Sequence, residues 1–155
     1  MRIGAIVGVT AALVLPLASP ASAAVPPEDS IVLLKESFTE KCLDSNGGGS
    51  VYTGGCDSDN DYQKWQWIPR GSGKVILRDV ATDRCLDSGG KSVYTSNCSV
   101  NNFHLQWLYR ENDNGHLELK NVATGLCLLA NIDSEVKTVT CNDLNYDWVP
   151  TVVAE

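Results

Sequence analysis

The stretch Lys41-Cys42-Leu43-Asp44 returns along the chain as Arg84-Cys85-Leu86-Asp87 and, altered, as Leu126-Cys127-Leu128-Leu129. Each copy then reaches a second cysteine, and a tryptophan follows that cysteine after seven to nine residues. The first cysteines lie 43 and 42 residues apart, and the tryptophans (Trp65, Trp107, Trp148) lie 42 and 41 apart. This shared spacing indicates three structural repeats, each too small to bury its own core, that share one core about a pseudo-threefold axis.

Residues 1–24 have the features of a secretory signal peptide. Arg2 precedes an apolar run from Ile3 to Leu17, and residues 18–24 are mostly small. We therefore expect cleavage after Ala23 or Ala24 and a secreted mature chain. The apolar run is too short to predict a membrane-spanning helix. Residues 25–155 suffice for a single domain, with repeats at about 31–70, 71–112 and 113–150.

The charge of the chain excludes some classes of partner. It has 19 acidic and 12 basic side chains and a net charge of −7. An acidic surface repels phosphate backbones and anionic headgroups. The sequence therefore predicts neither nucleic-acid binding nor membrane insertion.

The six cysteines of an exported chain predict disulfides. If the three copies share one structure, the same pairing rule applies in each: Cys42–Cys56, Cys85–Cys98 and Cys127–Cys141. A zinc site is the competing interpretation. It is disfavoured because the chain has no Cys-x-x-Cys spacing and only two histidines.

Short β-rich runs separated by glycine turns predict an all-β fold. Each copy contains four such runs, and no segment shows a capped amphipathic helix. About twelve short strands in three copies describe a β-trefoil, a closed form that leaves few strand edges exposed. We expect the three repeated tryptophans in the core. Trp67 has no tryptophan counterpart; we assign it to the core as well, with an exposed aromatic as the alternative.

Cys-Leu-Asp, a second cysteine and Gln63-Lys64-Trp65 together resemble the Gln-x-Trp repeat of the ricin B-type lectins. The resemblance covers residues 31 to about 150, and the glycine-rich form looks like small secreted bacterial members. It implies a β-trefoil with a shallow sugar pocket in each repeat. The pocket would use the aspartate after Cys-Leu, and an Asn or Gln just ahead of the tryptophan. An aromatic platform two residues before the second cysteine, and a polar residue four before it, would complete the pocket.

The three copies keep this set unequally. Copy one has Asp44 and Gln63, with Tyr52 at the polar position and Gly54 at the platform position. Copy two has Asp87 and Tyr94, with Ser96 at the platform position and Gln106 one residue out of register. Copy three has Leu129, Lys137 and Val139 instead, and only Asn145 remains.

Two interpretations of these residues are open. In the first, the protein binds glycan through repeats one and two, with the tyrosines as relocated platforms and the following site residues: Asp44, Tyr52, Gln63, Asp87 and Tyr94. In the second, the two aspartates accept hydrogen bonds from the turns at 45–49 and 88–91, and Gln63 satisfies backbone groups.

Other functions have less support in the sequence. The acidic run 57–61 faintly resembles a calcium loop, but it lacks that motif's glycine and final glutamate, so an Asx-rich turn is favoured. His104 and His116 lie in no catalytic motif, and we predict a non-catalytic protein without a cofactor or metal. The main alternative to a lectin is a protein-binding adaptor or accessory subunit of a secreted complex such as a toxin assembly. A hydrolase inhibitor is a third possibility.

Overall fold

Twelve short strands and two 3-10 helices organise the part of the chain that the computed structural model describes, residues 25–142 and 147–155. The predicted signal peptide and Asn145 lie outside these residues. The strands are β1 (Ile31–Glu36), β2 (Cys42–Ser45), β3 (Val51–Gly54), β4 (Trp65–Gly71), β5 (Lys74–Asp79), β6 (Arg84–Ser88), β7 (Val93–Asn97), β8 (Trp107–Glu111), β9 (Leu117–Asn121), β10 (Leu126–Ala130), β11 (Val136–Thr140) and β12 (Trp148–Ala154).

Six of the strands close into a barrel by antiparallel pairing. The order around it is β1, β4, β5, β8, β9 and β12, and β12 pairs again with β1. The other six form three hairpins, β2–β3, β6–β7 and β10–β11, one in each repeat. The 3-10 helices, Asp61–Gln63 and Phe103–Leu105, lie just before β4 and β8. The predicted all-β trefoil is confirmed.

The repeated tryptophans form the centre of the core, as predicted. Each is fully buried in a cluster of aliphatic side chains from all three repeats. Each indole Nε1 also donates at 3.1 Å to the carbonyl of the leucine after the first cysteine of its own copy: Trp65 to Leu43, Trp107 to Leu86 and Trp148 to Leu128. These bonds fasten each hairpin to the barrel.

Trp67 is also part of the core, which confirms its assignment. It is fully buried and lies against Tyr109, the residue at the equivalent position of copy two, with ring centroids 5.2 Å apart. Its indole nitrogen differs from the other three because it has no hydrogen-bond partner in the described residues.

The three predicted disulfides are present. They join Cys42 to Cys56, Cys85 to Cys98 and Cys127 to Cys141, with Cα–Cα distances of 4.9, 5.1 and 5.2 Å. In each repeat the bond links the first strand of the hairpin to a cysteine one or two residues beyond the second strand. It therefore holds the start of the loop that leads back to the barrel.

A buried polar side chain holds the turn that enters each hairpin. Glu36, Asp79 and Asn121 occupy equivalent positions, and each accepts hydrogen bonds from a turn threonine three residues later. Asp79 is fully buried and also accepts from Ser45 Oγ at 2.7 Å. Burial raises the pKa of Asp79 above its ordinary value, and the hydrogen bonds from Ser45 and Thr82 offset part of that rise.

The hairpins are joined in a ring about the pseudo-threefold axis. In each, a threonine amide donates to a carbonyl in the turn of the neighbouring hairpin, at 2.9–3.0 Å: Thr95 to Gly49, Thr138 to Lys91 and Thr53 to Ser134. Every repeat is thus both donor and acceptor. This ring fixes how the outward faces of the hairpins are placed relative to one another.

Replacing Trp65 by Phe is expected to cost more stability than replacing Trp67 by Phe. Both changes shrink a fully buried ring, but only Trp65→Phe leaves the Leu43 carbonyl without its indole donor. The difference in the free energy of unfolding should be about 1–2 kcal/mol, measured by urea denaturation. Equal losses would show that the indole–carbonyl bond contributes nothing.

The variant Asp79→Asn should become more stable relative to wild type as the pH rises. Because the pKa of Asp79 is raised by burial, its stabilising contribution is complete below the ordinary value of 3.8 and is lost as the pH rises through the folded-state pKa. Asparagine cannot ionise, and Asn121 shows that the amide fits this turn. Melting temperatures from pH 3 to pH 8 should separate by on the order of 3 °C in favour of the variant. A constant difference across this range would contradict the assignment.

Candidate functional site

Three of the predicted site residues come together on the outward face of the first hairpin. Asp44 in β2 lies directly opposite Tyr52 in β3. Gln63, from the 3-10 helix before β4, donates from Nε2 to Asp44 Oδ2 at 2.9 Å. We call Asp44, Tyr52, Gln63 and the adjacent Gly54 the first-repeat site.

The amide of Gln63 is fully engaged within the protein. Besides Asp44, its Nε2 donates to the Gly55 carbonyl at 2.8 Å, and its Oε1 accepts from the Asp57 amide at 2.8 Å. The side chain is buried, with 2% of its surface exposed. Both amide hydrogens are used, so Gln63 positions Asp44 and the loop after β3 rather than donating to a ligand.

Asp44 has one carboxylate oxygen engaged and one free. Oδ2 accepts from Gln63 and, at 3.4 Å, from Asn60 Nδ2. Oδ1 is buried and has no hydrogen-bond partner in the described residues. A buried acceptor without a donor costs free energy, and a hydroxyl donor at this oxygen would recover it.

The glycine at the platform position changes the shape of this site. A Cβ at Gly54 would lie 3.1 Å from Asp44 Oδ2 and 3.3 Å from Gln63 Nε2. Any larger side chain there would therefore point directly at the carboxylate. Since glycine has no side chain, the expected platform is absent, and residue 54 places no side-chain atom against Asp44.

Tyrosine side chains supply the aromatic surface instead. Tyr52 is half-buried, and its hydroxyl donates to the Ser45 carbonyl at 2.8 Å, which holds the ring in place. Burial raises the pKa of Tyr52, and the negative charge of Asp44 and the nearby Tyr62 raise it further. Tyr62 is 39% exposed and was missed in the sequence. The sequence signal that could have identified Tyr62 as a site residue is its position directly before Gln63.

The turn beside this site is organised by Asn46, not by Asp44. Asn46 Oδ1 accepts from the amides of Gly48 at 2.9 Å and Ser50 at 3.1 Å. The interpretation in which Asp44 binds the turn amides is wrong in this respect. Its expectation that Gln63 satisfies backbone groups is confirmed by the bond to Gly55.

In the second repeat the aspartate has a different partner. Asp87 lies opposite Tyr94, but its Oδ2 accepts from Ser96 Oγ at 2.6 Å, while Oδ1 is buried without a partner. Ser96 thus takes up the space that Gly54 leaves open in copy one. Tyr94 is 38% exposed and lies against Gly89, where a Cβ would come within 2.9 Å of its hydroxyl.

The amide of the first repeat has no counterpart in the second. Leu105 stands in its place and is fully buried, and Gln106 Nε2 donates to the Val100 carbonyl at 2.9 Å rather than to Asp87. His104 Nδ1 lies 2.7 Å from the Ser88 carbonyl, where Tyr52 binds Ser45 in copy one. In the third repeat Leu129 replaces the aspartate and Lys137 pairs with Glu135 at 3.0 Å.

A family model for the ricin-type beta-trefoil lectin domain matches residues 30–148. The chain belongs to this lectin family. Among solved structures, the ricin-type chain is similar to the designed threefold-symmetric protein ThreeFoil, with a TM-score of 0.72 and 20% identity over 81% of this chain and 100% of that one. It is also similar to cytolethal distending toxin from Actinobacillus actinomycetemcomitans, with a TM-score of 0.69 and 14% identity over 81% and 94% of the two chains.

No protein of curated function matches the sequence of this lectin-family chain. The two structural similarities, both below 25% identity, bear on the fold alone. The disulfide-rich ricin-type fold is typical of extracellular proteins. Within residues 25–142 and 147–155, no helix has the length and apolar character needed to span a bilayer.

The acidic groups of this ricin-type domain that resemble metal ligands have other roles. Glu118 lies near Cys127 and Cys141, but those sulfurs form a disulfide. In the acidic run after β3, Asp57 Oδ1 accepts from the Asp59 amide at 2.9 Å, and Asp61 pairs with Lys64 at 2.8 Å. These contacts are those of an Asx-rich turn.

Replacing Asp44 by Asn should lower the pKa of Tyr52 toward its ordinary value of 10.0, because a negative charge next to the ring disfavours the phenolate. The titration can be followed at the Tyr52 ring Cζ by NMR. Asp87→Asn is the control, since Asp87 lies opposite Tyr94 and should leave Tyr52 unchanged. An unchanged Tyr52 titration in Asp44→Asn would contradict the proximity of the two groups.

Proposed function

We propose that this protein is a secreted, non-catalytic lectin that binds glycan mainly through the first-repeat site. Membership of the ricin-type lectin family implies carbohydrate binding. The observation that favours copy one is that Gln63 orients Asp44 through Oδ2 at 2.9 Å and Gly54 adds no side chain beside the carboxylate, whereas Ser96 binds the Asp87 carboxylate in copy two. A carboxylate held in this way is an acceptor for sugar hydroxyls.

Each residue has a distinct role in this proposal. Asp44 accepts a sugar hydroxyl, while Gln63 fixes the orientation of the carboxylate through Oδ2. Tyr52 and Tyr62 offer aromatic faces to the C–H side of the ring. The site is shallow and desolvates few polar groups, so a single sugar should bind weakly.

The second repeat is proposed as a weaker site. Asp87 and Tyr94 are adjacent, and the Asp87 Oδ1 is also without a partner. However, Ser96 occupies the space beside the carboxylate, and no amide equivalent to Gln63 orients it. Simultaneous use of two sites on one polysaccharide would raise the overall affinity by avidity.

Secretion and the absence of catalysis are part of the same proposal. The signal-like segment 1–24 and three disulfides support export to an oxidising compartment. Neither histidine lies in a catalytic motif, and His104 Nδ1 lies 2.7 Å from the Ser88 carbonyl.

A protein-binding accessory role in a secreted complex is the second candidate. Two features favour it. In copy three, Leu129 and Lys137 stand in place of the aspartate and the tyrosine, and in copy two Ser96 donates a hydrogen bond to Asp87. The structurally similar cytolethal distending toxin gives the precedent of a toxin with this fold. Stoichiometric co-purification of one partner from culture supernatant, resistant to free sugar, would favour this role over the lectin.

Glycan-array binding of the wild-type protein, followed by calorimetry with the best glycan, tests the lectin. Asp44→Asn should weaken binding by about tenfold or more, because a charge-assisted hydrogen bond contributes about 1.5–3 kcal/mol. Gly54→Ser should also weaken it, since the added side chain would fill the space beside the Asp44 carboxylate that Ser96 fills beside Asp87.

Asp87→Asn is the matched control and should change binding less than Asp44→Asn does. If folded Asp44→Asn and Gly54→Ser variants bind the same glycans with unchanged affinity, the first-repeat site is not the binding site. If the wild-type protein binds no glycan on the array, the lectin proposal itself fails.

A further inference from the structure

We propose a second, chemically different glycan site that takes an acidic sugar residue, a uronic acid, in a cavity beside the second repeat. The cavity lies between the β4–β5 hairpin and the loop that follows β7. It uses none of the residues of the first-repeat site, so this inference goes beyond the proposed function.

Two cations without partners converge on this cavity. It has a volume of about 260 Å³ and is lined by Arg70, Lys74, Val100, Asn101, Phe103 and Gln106. Within the described residues, neither Arg70 nor Lys74 has an ion-pair or side-chain hydrogen-bond partner, although acidic residues outnumber basic ones in the chain by 19 to 12. Two unpaired cations at one cavity in an acidic protein favour an anionic ligand.

An aromatic ring is held out into solvent at the same place. Phe103 is 58% exposed and Val100 is 52% exposed. A large apolar side chain at the surface loses the hydrophobic stabilisation that burial would give it. An exposed ring next to cations offers a face on which the C–H side of a sugar ring can stack.

The loop that carries this ring is rigid. The disulfide of Cys98 anchors its start, and Gln106 Nε2 donates to the Val100 carbonyl at 2.9 Å. Asn102 caps the 3-10 helix by accepting from the His104 amide at 3.0 Å. The backbone at Phe103 is thus held in place by several contacts, which lowers the entropy lost on binding.

The equivalent surface of the first repeat shows that the fold does not require these residues. There a cavity of about 420 Å³ includes Ile31 in the place of Lys74 and Asp61 in the place of Phe103. The cation and the aromatic ring are replaced by an apolar residue and an acid. Lys64 also lines the first-repeat cavity, but it pairs with Asp61 at 2.8 Å. Of the two cavities, only the one beside the second repeat combines unpaired cations with an aromatic ring.

A uronic acid matches this arrangement group by group. Its carboxylate can accept two parallel hydrogen bonds from the Arg70 guanidinium and a charge-assisted bond from Lys74. The C–H face of its ring can lie on Phe103, and its hydroxyls can bind the Asn101 amide. The small cavity suits one ring, since pockets for larger ligands start at about 300 Å³.

The test is a ¹⁵N NMR titration with sodium glucuronate, with glucose as the matched neutral sugar. Glucuronate at tens of millimolar should shift the amides of Lys74, Asn101 and Phe103, and glucose should not. Arg70→Ala should raise the Kd by about tenfold, the loss expected for a charge-assisted contact. Phe103→Ala should raise it by about threefold, the loss expected for a stacked ring. Lys120→Ala, which removes an exposed cation from β9, should leave it unchanged.

The remaining arms separate this site from its alternatives. Equal shifts with glucose, or none with glucuronate, would overturn the proposal. The cavity would be a simple anion site if sodium acetate gave the same shifts, or if Phe103→Ala left the glucuronate Kd unchanged. Either result would also overturn the proposal. Asp44→Asn should keep glucuronate binding at Lys74 and Asn101, so failure of the first-repeat site and failure of this one are distinguishable.

Discussion

The indole–carbonyl hydrogen bond within each repeat is the interaction on which the rest of the structure depends. It joins the tryptophan at the start of a barrel strand to the leucine in the middle of a hairpin strand, at 3.1 Å in all three copies. Each bond lies in the apolar core, where an unpaired carbonyl is costly. Each bond therefore fixes the position of its hairpin relative to the barrel. The cysteine directly before the leucine then joins this strand to the loop that follows the hairpin.

This attachment separates the two faces of each hairpin. On the inward face of the first hairpin, Leu43 and Thr53 are buried. On the outward face, Asp44, Tyr52 and Gly54 contact one another and the loop after β3 rather than the apolar core. Because pleating alternates side chains between faces, the outward positions can change without disturbing the core. All three copies consequently keep the inward leucine and threonine. At the outward positions, copy two keeps the aspartate and tyrosine but not the glycine, and copy three keeps none of the three.

The sequence was sufficient for the fold and insufficient for the site. Repeat spacing predicted the trefoil, the tryptophan core and the disulfides, because each is imposed three times. The state of each aspartate was not predictable, since it depends on contacts between single side chains. Nothing in the spacing shows that Ser96 captures Asp87, or that both hydrogens of the Gln63 amide are used within the protein. Nor does it show that Asn46 takes over the turn.

The ring of hydrogen bonds between the hairpin turns limits how such a protein can evolve. Linear repeat proteins gain or lose units at their ends because each unit contacts only its neighbours. Here the threonine amide of the first copy donates to the turn of the third, so the chain of contacts has no end to extend. A duplication or deletion of one unit would interrupt this closed ring of hydrogen bonds between hairpins. New specificity must arise by mutation of existing copies, and their number stays at three.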